Sequence, residues 1–277
     1  MRATPQARLA AWLDRQRRWF VLTGAGCSTA SGIPDYRDGD GLWKRKQPIT
    51  VQAFVGDAYA RARYWARSLV GWRAFAAATP NAAHRGLARL EAQGRITQLV
   101  TQNVDGLHRA AGSRAVIDLH GRLDRVVCLS CAARWPRAQW QDELARSNPQ
   151  WADLAAAQAP DGDADLEGCD FASFRVPPCP ACGGIVKPDV VFFGESVPRE
   201  RVAAAEEALR AADAMLVVGS SLMVFSGYRF AREAARLGKP IVAINLGRTR
   251  ADALLAEKIE APCAEVLAAI GDRASAV

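Results

Sequence analysis

The chain has 277 residues, of which 50% are hydrophobic and 23% are charged. This length and composition exclude a peptide-sized module and a disordered tail, and they are typical of a globular enzyme with a substantial core. No apolar run approaches the ~20 residues of a membrane helix, so we expect no membrane partner. The net charge of +7 is scattered among acidic residues, which disfavours nucleic acid as a partner.

The first segment, residues 1–18, is rich in Arg and Ala. A mitochondrial transit peptide has this composition, but Leu9, Trp12 and Leu13 recur at helical spacing, which favours an amphipathic first helix. We therefore expect a cytoplasmic protein, or a protein of the mitochondrial matrix if the source is eukaryotic.

Further along the chain, short apolar segments alternate with helical patterns. The predicted strands are residues 19–23, 96–101, 215–219 and 240–245, and the predicted helices between the last of them are residues 199–212 and 228–237. Alternating strands and helices predict an α/β fold with a Rossmann-like, doubly wound parallel sheet that has helices on both faces.

Two stretches interrupt this alternation. Residues 38–94 are helical in pattern and rich in aromatic side chains, and residues 122–186 contain two pairs of cysteines. We expect one domain over residues 1–277, in which both stretches are lobes inserted into a Rossmann-like core. The predicted core segments are residues 1–37, 95–121 and 187–277.

The strongest chemical signal is a pair of Cys-x-x-Cys motifs. Their residues are Cys128, Cys131, Cys179 and Cys182. Four thiolates at this spacing predict a closed tetrahedral site for one structural zinc ion, with redox cysteines or coincidental spacing as weaker alternatives. Residues 122–186 are therefore predicted to form a small zinc-binding lobe. The acidic, glycine-containing stretch 160–170 within it has the composition of an exposed loop.

A glycine-rich turn, Gly24-Ala25-Gly26-Cys27-Ser28, follows the first predicted strand. Glycines in such a turn allow the backbone to approach a pyrophosphate, although a plain tight turn is the alternative. Thr29 stands in place of the third glycine of the dinucleotide fingerprint, and no acidic residue closes a second strand at the usual distance. The pattern favours a nucleotide and disfavours a hydride-transferring dehydrogenase.

Polar residues follow the next predicted strand, in the run Gln102-Asn103-Val104-Asp105. Open α/β sheets bind ligands at the carboxyl ends of their strands, and capping of a helix is the alternative role for Asn and Asp. His120 follows the apolar stretch 115–119 and precedes a glycine. A lone histidine is more often structural, but its place between the polar run and the cysteines suggests that it reaches the same cleft.

Together these segments resemble the sirtuin family, in an order that spans nearly the whole chain. Besides the cysteine pairs and His120, the matching segments are residues 24–28, 32–37, 101–105, 187–195, 219–222 and Asn245. The resemblance implies a Rossmann-like domain with a small zinc-containing lobe and NAD as a co-substrate. It also implies acylated protein lysine as the partner, with nicotinamide and O-acyl-ADP-ribose as products.

The resemblance assigns roles to individual residues, with His120 as the general base and Asn103 and Asp105 orienting the ribose. The implied NAD-binding residues are Gly24, Ala25, Gly26, Ser28, Asp35, Tyr36, Arg37, Gln102, Asn103, Asp105, Gly219, Ser220, Ser221, Asn245 and Cys263. The implied residues of the acyl-lysine tunnel are Val190, Val191, Phe192, Phe193 and Gly194. By its apolar pattern alone, residues 190–195 would be predicted as a core strand.

Three cysteines fall outside the zinc set. Cys27 stands where the family has an aliphatic residue, so we expect a small hydrophobic side chain. Cys263 follows Pro262 at a predicted helix start, where the resemblance implies a backbone contact to the adenine end of NAD. Cys169 has no assigned role.

A Tyr-x-x-Arg pair in the first insertion bears on the acyl group. Tyr64 and Arg67 share a helix face, and they resemble the pair that holds the distal carboxylate in sirtuins that remove acidic acyl groups. The run from Tyr64 to Arg67 is most similar to the class II mitochondrial lipoamidase and ADP-ribosyltransferase branch. We therefore expect longer or acidic acyl groups to be preferred over acetyl. The alternative is a solvated Arg67 beside an inward-packed Tyr64.

Three other classes of protein use parts of the same pattern. A protein mono-ADP-ribosyltransferase would cleave NAD in the same way and use a different acceptor. A zinc-ribbon nucleic-acid adaptor would need only the cysteine pairs and the basic charge, and a dehydrogenase would transfer hydride. Release of nicotinamide separates the first of these from the other two.

Overall fold

The computed structural model describes residues 3–45, 47–157, 159–166 and 168–270. Within these ranges the strands are β1 (Trp19–Thr23), β2 (Ile96–Thr101), β3 (Val116–Asp118), β4 (Gly121–Cys128), β5 (Arg134–Pro136), β6 (Val186–Val190), β7 (Ala214–Val218), β8 (Ile241–Ile244) and β9 (Glu257–Ile259). The helices are α1 (Pro5–Arg15), α2 (Val51–Gly56), α3 (Ala58–Ala76), α4 (Ala82–Ala92), α5 (Leu107–Ala110), α6 (Arg137–Ser147), α7 (Pro149–Ala152), α8 (Arg199–Ala211), α9 (Phe225–Arg236) and α10 (Cys263–Ala268). Among the helices of these ranges, none is long and apolar enough to cross a membrane.

Six parallel strands of the described chain form the main sheet, in the order β3-β2-β1-β7-β8-β9. β1 lies between β2 and β7, and all of its residues are buried. Side chains of a strand alternate between faces, so Trp19 and Val21 enter the core on one face while Phe20 and Leu22 enter the core on the other. Helices cover both faces, which confirms the predicted doubly wound, Rossmann-like sheet.

Helix α4 packs on this sheet and is not part of the first insertion. We predicted residues 38–94 as one inserted helical lobe, but α4 lies along α10 in the core on one face of the sheet. Gly86 permits this contact, because a Cβ atom at that position would lie 2.5 Å from the carbonyl oxygen of Leu267. The Asn81 side chain caps the helix by accepting from the Ala83 amide at 2.8 Å. The insertion therefore ends before α4.

A second sheet, antiparallel and in the order β5-β4-β6, forms the base of the cysteine-containing lobe. Strand β6 pairs Lys187 with Val127 of β4. Residues 187–190 therefore belong to this lobe, and their predicted place in the Rossmann-like core is wrong. The error arose because residues 187–190 lead directly into the apolar run 190–195, and the local sequence does not show which sheet a segment joins.

The prediction of a core strand over residues 190–195 is also wrong, since β6 ends at Val190. Beyond it the chain turns, and the Glu195 carboxylate accepts from the Phe192 amide at 2.6 Å. Gly194 has a φ of +84°, a left-handed conformation that favours glycine. The apolar side chains of this run consequently face a cavity and not a sheet.

The first insertion and the cysteine-containing lobe share one hydrophobic core. The rings of Trp65 in α3 and Trp140 in α6 lie 5.7 Å apart. The Arg137 guanidinium, only 1% exposed, lies 4.8 Å from the centre of the Trp72 ring and donates to Ser68 Oγ at 3.2 Å. The two insertions thus pack as one unit, although each was predicted as a separate lobe.

The stretch 160–170 is packed against α3 over part of its length, and the prediction of an exposed loop is wrong there. Ala164 is fully buried, and its amide donates to the Arg67 carbonyl oxygen at 3.1 Å. Gly71 lets the chain lie against the helix, since a Cβ atom there would be 2.3 Å from the Gly162 carbonyl oxygen. The segment thereby becomes part of a cavity wall.

Candidate functional site

A cavity of about 1220 Å³ opens at the carboxyl edge of the main sheet, where β1, β2, β7 and β8 end. The strand order reverses between β1 and β7, and open α/β sheets bind nucleotides at such a point. The predicted NAD-binding residues on its wall are Gly24, Ala25, Gly26, Ser28, Asp35, Tyr36, Arg37, Gln102, Asn103, Asp105, Gly219, Ser220, Ser221 and Asn245. The other predicted site residues on the wall are His120, Tyr64, Arg67, Val190, Val191, Phe192, Phe193 and Gly194.

Glycines bring two turns of the cavity wall into contact. A Cβ atom on Gly24 would lie 2.8 Å from the Ser220 Cβ, and one on Gly26 would lie 3.0 Å from the Gly219 carbonyl oxygen. Gly219 itself has a φ of +60°. The missing side chains therefore let the two turns lie against each other, and both turns line the cavity, which fits backbone binding of the pyrophosphate of a dinucleotide.

A polar network lies beside the glycine turn. The Ser28 hydroxyl donates to the Asp105 carboxylate at 2.7 Å and accepts from the Asn103 amide at 3.0 Å. Asp105 also accepts from the Leu107 amide at 2.9 Å. Burial raises the pKa of Asp105, against the lowering effect of these hydrogen bonds. The network holds Asn103 and Asp105 at the cavity, where their polar atoms can bind the hydroxyl groups of a ribose.

His120 lies between β3 and β4 and lines the same cavity. Because a carbonyl oxygen only accepts, the contact of 3.0 Å to the Gln102 carbonyl places the proton on Nδ1 of the ring. Nε2 therefore carries the lone pair, and the Ser226 hydroxyl donates to it at 2.8 Å. Burial lowers the pKa of His120 to about 4, so the ring is neutral at neutral pH. A neutral imidazole is the form that accepts a proton.

The loop that contains Asp35, Tyr36 and Arg37 covers one end of the cavity. Asp35 forms an ion pair with Lys44. The Arg37 guanidinium lies 3.9 Å from the centre of the Trp43 ring, and the Tyr36 ring meets the same indole edge-on at 6.0 Å. The three predicted residues are thus held by contacts within their own loop.

Another wall of the cavity is aromatic. The Tyr64 ring is 8% exposed, and its centre lies 5.4 Å from that of Phe54 and 5.2 Å from that of Phe192. Burial raises the pKa of Tyr64, which keeps its hydroxyl protonated. Tyr64 thus packs inward, as one of the two sequence interpretations expected.

Arg67, in contrast, is neither free nor fully solvated. Its Nε lies 3.6 Å from Oδ2 of Asp163, a residue that we did not predict in the site. Asp163 Oδ1 is buried without a hydrogen-bond partner in the described part of the chain. Burial raises the pKa of Asp163 to about 7, against the lowering effect of Arg67 and Arg63. The acidic composition of residues 160–170 was the only sequence signal, and it indicated solvent.

The four paired cysteines converge at one point of the small lobe. The Sγ atoms of Cys128 and Cys182 lie 3.5 Å apart, and those of Cys131 and Cys179 lie 3.7 Å apart. Tetrahedral zinc with Zn–S bonds of ~2.3 Å needs a sulfur separation of about 3.8 Å, so the residues fit one ion. A Cβ atom on Gly184 would lie 3.1 Å from Cys128 Sγ, so this glycine permits the close approach. None of the four lines the cavity, and the predicted structural zinc site is confirmed.

The other three cysteines have different surroundings. Cys27 is 1% exposed in the core of the sheet domain, and burial raises the pKa of its thiol. Cys263 is not on the cavity wall, because its thiol turns into the core and donates to the Ile244 carbonyl oxygen at 3.5 Å. Any contact of Cys263 with NAD would have to use its backbone. Cys169 is partly buried against the core shared by the two insertions.

The glycine turns at the carboxyl edge of the sheet and the neutral His120 in the same cavity fit an enzyme that uses a nucleotide. The Sir2 family profile matches residues 24–226. An NAD-dependent protein deacetylase of Bordetella bronchiseptica is 68% identical over 262 residues, which cover 95% of this chain and 96% of that protein. An NAD-dependent protein deacetylase of Xanthomonas campestris pv. campestris is 65% identical over 260 residues, which cover 94% of this chain and 89% of that protein. The chain therefore belongs to the Sir2, or sirtuin, family.

Solved structures agree with this family assignment. A complex of Sir2 with a p53 peptide and NAD+ is 30% identical, with a TM-score of 0.72 over 94% of each chain. A structure of Sir2Tm bound to a propionylated peptide is 29% identical, with a TM-score of 0.72 over 95% of each chain. The predicted resemblance to sirtuins is thus confirmed for both sequence and fold.

Proposed function

We propose that this chain removes acyl groups from protein lysine with NAD as a co-substrate, giving nicotinamide and O-acyl-ADP-ribose. One observation carries the proposal: a single cavity holds a neutral His120 beside Asn103 and Asp105, and an aromatic wall around Phe192. The names of the Bordetella and Xanthomonas relatives support protein deacetylation. Both relatives are bacterial, which favours the cytoplasm as the place of the reaction.

We assign the chemical roles as follows. NAD, when bound, supplies a ribose carbon that is open to attack as nicotinamide leaves. The backbone of Gly24 and Gly26 holds its phosphates, and Asn103 and Asp105 hold the ribose hydroxyls. His120 accepts a proton at Nε2, and its pKa of about 4 keeps that nitrogen unprotonated throughout the neutral range.

The acylated peptide enters as an added strand along residues 190–194. This run is already held beside the cavity, because the Val191 amide donates to the His120 carbonyl oxygen at 2.8 Å. Phe193 forms a parallel bridge with Thr50. Backbone hydrogen bonds of an added strand give affinity with little dependence on sequence, so the acyl tunnel supplies the selectivity.

The cavity favours longer or acidic acyl groups over acetyl. The Arg67 guanidinium can form charge-assisted hydrogen bonds with a distal carboxylate, which an acetyl group lacks. Arg63 adds a second cation to the same wall. The aromatic wall at Tyr64 and Phe192 suits an apolar chain such as lipoyl, as in the lipoamidase-like branch. The propionylated peptide bound by Sir2Tm supports acyl groups longer than acetyl.

Asp163 makes this preference dependent on pH. Its carboxylate lies 3.6 Å from Arg67, so an acidic acyl group must replace it as the partner of the guanidinium. The raised pKa of about 7 means that Asp163 gains a proton and loses its charge as the pH falls through neutral. Acidic acyl groups stay ionised over this range. The catalytic efficiency on them should therefore rise relative to that on acetyl as the pH falls from about 8 to about 6.

The test compares catalytic efficiency on acetyl, succinyl, glutaryl, branched dicarboxylic and lipoyl lysine peptides. Arg67→Met should lower efficiency on the dicarboxylic peptides relative to acetyl by about tenfold, the loss expected for one charge-assisted hydrogen bond. Arg73→Met is the matched control, because Arg73 lies on the same helix outside the cavity and donates to the Leu154 carbonyl oxygen at 2.7 Å. The control should leave the ratios unchanged.

Two outcomes would contradict parts of the proposal. If acetyl is the best substrate and Arg67→Met changes no ratio, the chain is a plain deacetylase and the Tyr64–Arg67 pair is structural. Mass measurement of both products tests the reaction itself. If the protein substrate gains ADP-ribose and no O-acyl-ADP-ribose forms, the chain is a mono-ADP-ribosyltransferase and not a deacylase.

A further inference from the structure

Ser226 is hydrogen-bonded to Nε2, the ring nitrogen of His120 that can take a proton. Its hydroxyl donates to Nε2 at 2.8 Å, while Nδ1–H is committed to the Gln102 carbonyl oxygen at 3.0 Å. The Ser226 side chain makes no other hydrogen bond within the described ranges. A proton can therefore reach Nε2 in this arrangement only through Ser226 or by displacing it.

The position of Ser226 follows from backbone packing. Helix α9 lies against the Gln102 side chain because the residue after Ser226 is Gly227, where a Cβ atom would lie 2.4 Å from Gln102 Oε1. The Gln102 side chain is fixed in turn, since its Nε2 donates to Ser220 Oγ at 2.7 Å. Gln102 thus orients the His120 ring with its carbonyl group and positions α9 with its side chain. The packing around Gln102 consequently holds Ser226 in contact with His120.

We propose that Ser226 is a catalytic residue that relays a proton from a ribose hydroxyl of NAD to His120. Ser226 lines the same cavity as Asn103 and Asp105, which we assign to the ribose. Ser226 Oγ takes the proton of the sugar hydroxyl as its own proton passes to Nε2. Two O–H bonds break while one O–H and one N–H bond form, the electron pair stays on the sugar oxygen for attack on the acyl carbon, and the imidazole becomes imidazolium.

This inference rests on the proposed role of His120 as general base and is independent of the acyl preference. Ser226→Ala should lower the turnover of deacetylation by about 10- to 100-fold, less than the ~10²–10⁴-fold effect of removing a general base, because Nε2 of His120 can still take the proton directly from the sugar hydroxyl. Nicotinamide exchange and the KM for NAD should stay close to wild type, since the relay acts after the first bond breaks. Ser226→Thr restores the hydroxyl and should recover most of the turnover.

Two further measurements report on the proton itself. The chain has only three histidines, so ring ¹⁵N NMR of the NAD-free protein can resolve Nε2 of His120. Its signal should move towards that of an unbonded ring nitrogen in Ser226→Ala and stay near wild type in Ser226→Thr. In mixtures of H₂O and D₂O, wild-type turnover should fall along a curve, because two protons move together, whereas Ser226→Ala should follow a straight line.

The possible failures are distinguishable. Wild-type turnover in Ser226→Ala, with a shifted ¹⁵N signal, would show that the hydroxyl only covers Nε2, and it would overturn the relay. An unshifted signal would overturn the contact itself. A His120→Ala variant that still deacetylates at the wild-type rate would overturn the general base, and the relay with it.

Discussion

Asp163→Asn should stabilise the protein more at about pH 8 than at about pH 5, because it removes a carboxyl group that is costly to ionise. Asp163 Oδ1 is buried without a hydrogen-bond partner in the described chain, and Oδ2 has Arg67 at 3.6 Å. Burial raises the pKa of Asp163 from 3.8 to about 7. A carboxyl group whose folded pKa is raised contributes stability at low pH, which is lost as the pH rises from the unfolded pKa to the folded one. Asparagine has nearly the same shape and does not titrate.

The magnitude follows from the two pKa values. A difference of about three units corresponds to ~4 kcal/mol between the fully protonated and fully ionised limits. Between pH 5 and pH 8 the free energy of unfolding of the wild type should fall by about 3 kcal/mol relative to that of Asp163→Asn. The Asp163 side chain keeps 23% of its surface exposed, so water screens part of the cost. We therefore expect the difference in free energy of unfolding between the two proteins to change by about 2 kcal/mol from pH 5 to pH 8.

The assay is urea unfolding of wild type and Asp163→Asn at a series of pH values, with the free energies of unfolding subtracted at each pH. Subtraction cancels the titration of the other groups. Asp165→Asn, two residues along, is the control for loss of a carboxylate from the same segment. A difference between wild type and Asp163→Asn that is the same at both ends of the pH range would refute the burial of an ionisable Asp163 beside Arg67.

Two other predictions concern the base and the zinc. His120→Ala should lower deacylation by ~10²–10⁴-fold and lower nicotinamide exchange much less, because the base acts after the first bond breaks; equal loss in both assays would move His120 to the earlier step. Cys128→Ser should reduce the zinc content measured by elemental analysis and lower the temperature of unfolding, because a closed thiolate site contributes to folding of its lobe. Full zinc occupancy in that variant would remove Cys128 from the ligand set.

Local pattern alone determined much of the core and the zinc ligands. The strand Trp19–Thr23 is buried on both faces, and its short, mostly apolar run followed by a glycine turn already predicted a core strand. Each Cys-x-x-Cys motif brings two thiolates together through a short turn, so the ligand set needed no knowledge of the lobe. The glycine turn at Gly24 was likewise visible, since close backbone approach requires glycine.

Other features depended on which segments meet. The sequence by itself predicted strands over residues 96–101 and 215–219, and the structure has them at Ile96–Thr101 and Ala214–Val218. Only the tertiary structure placed Asp163 against Arg67, Ser226 against His120, and α4 on the main sheet. These contacts join residues that are far apart in sequence, and they depend on Gly71, Gly227 and Gly86, whose missing side chains leave space for one particular neighbour. A glycine shows that some backbone can come close, but the packing of the whole chain decides which one does.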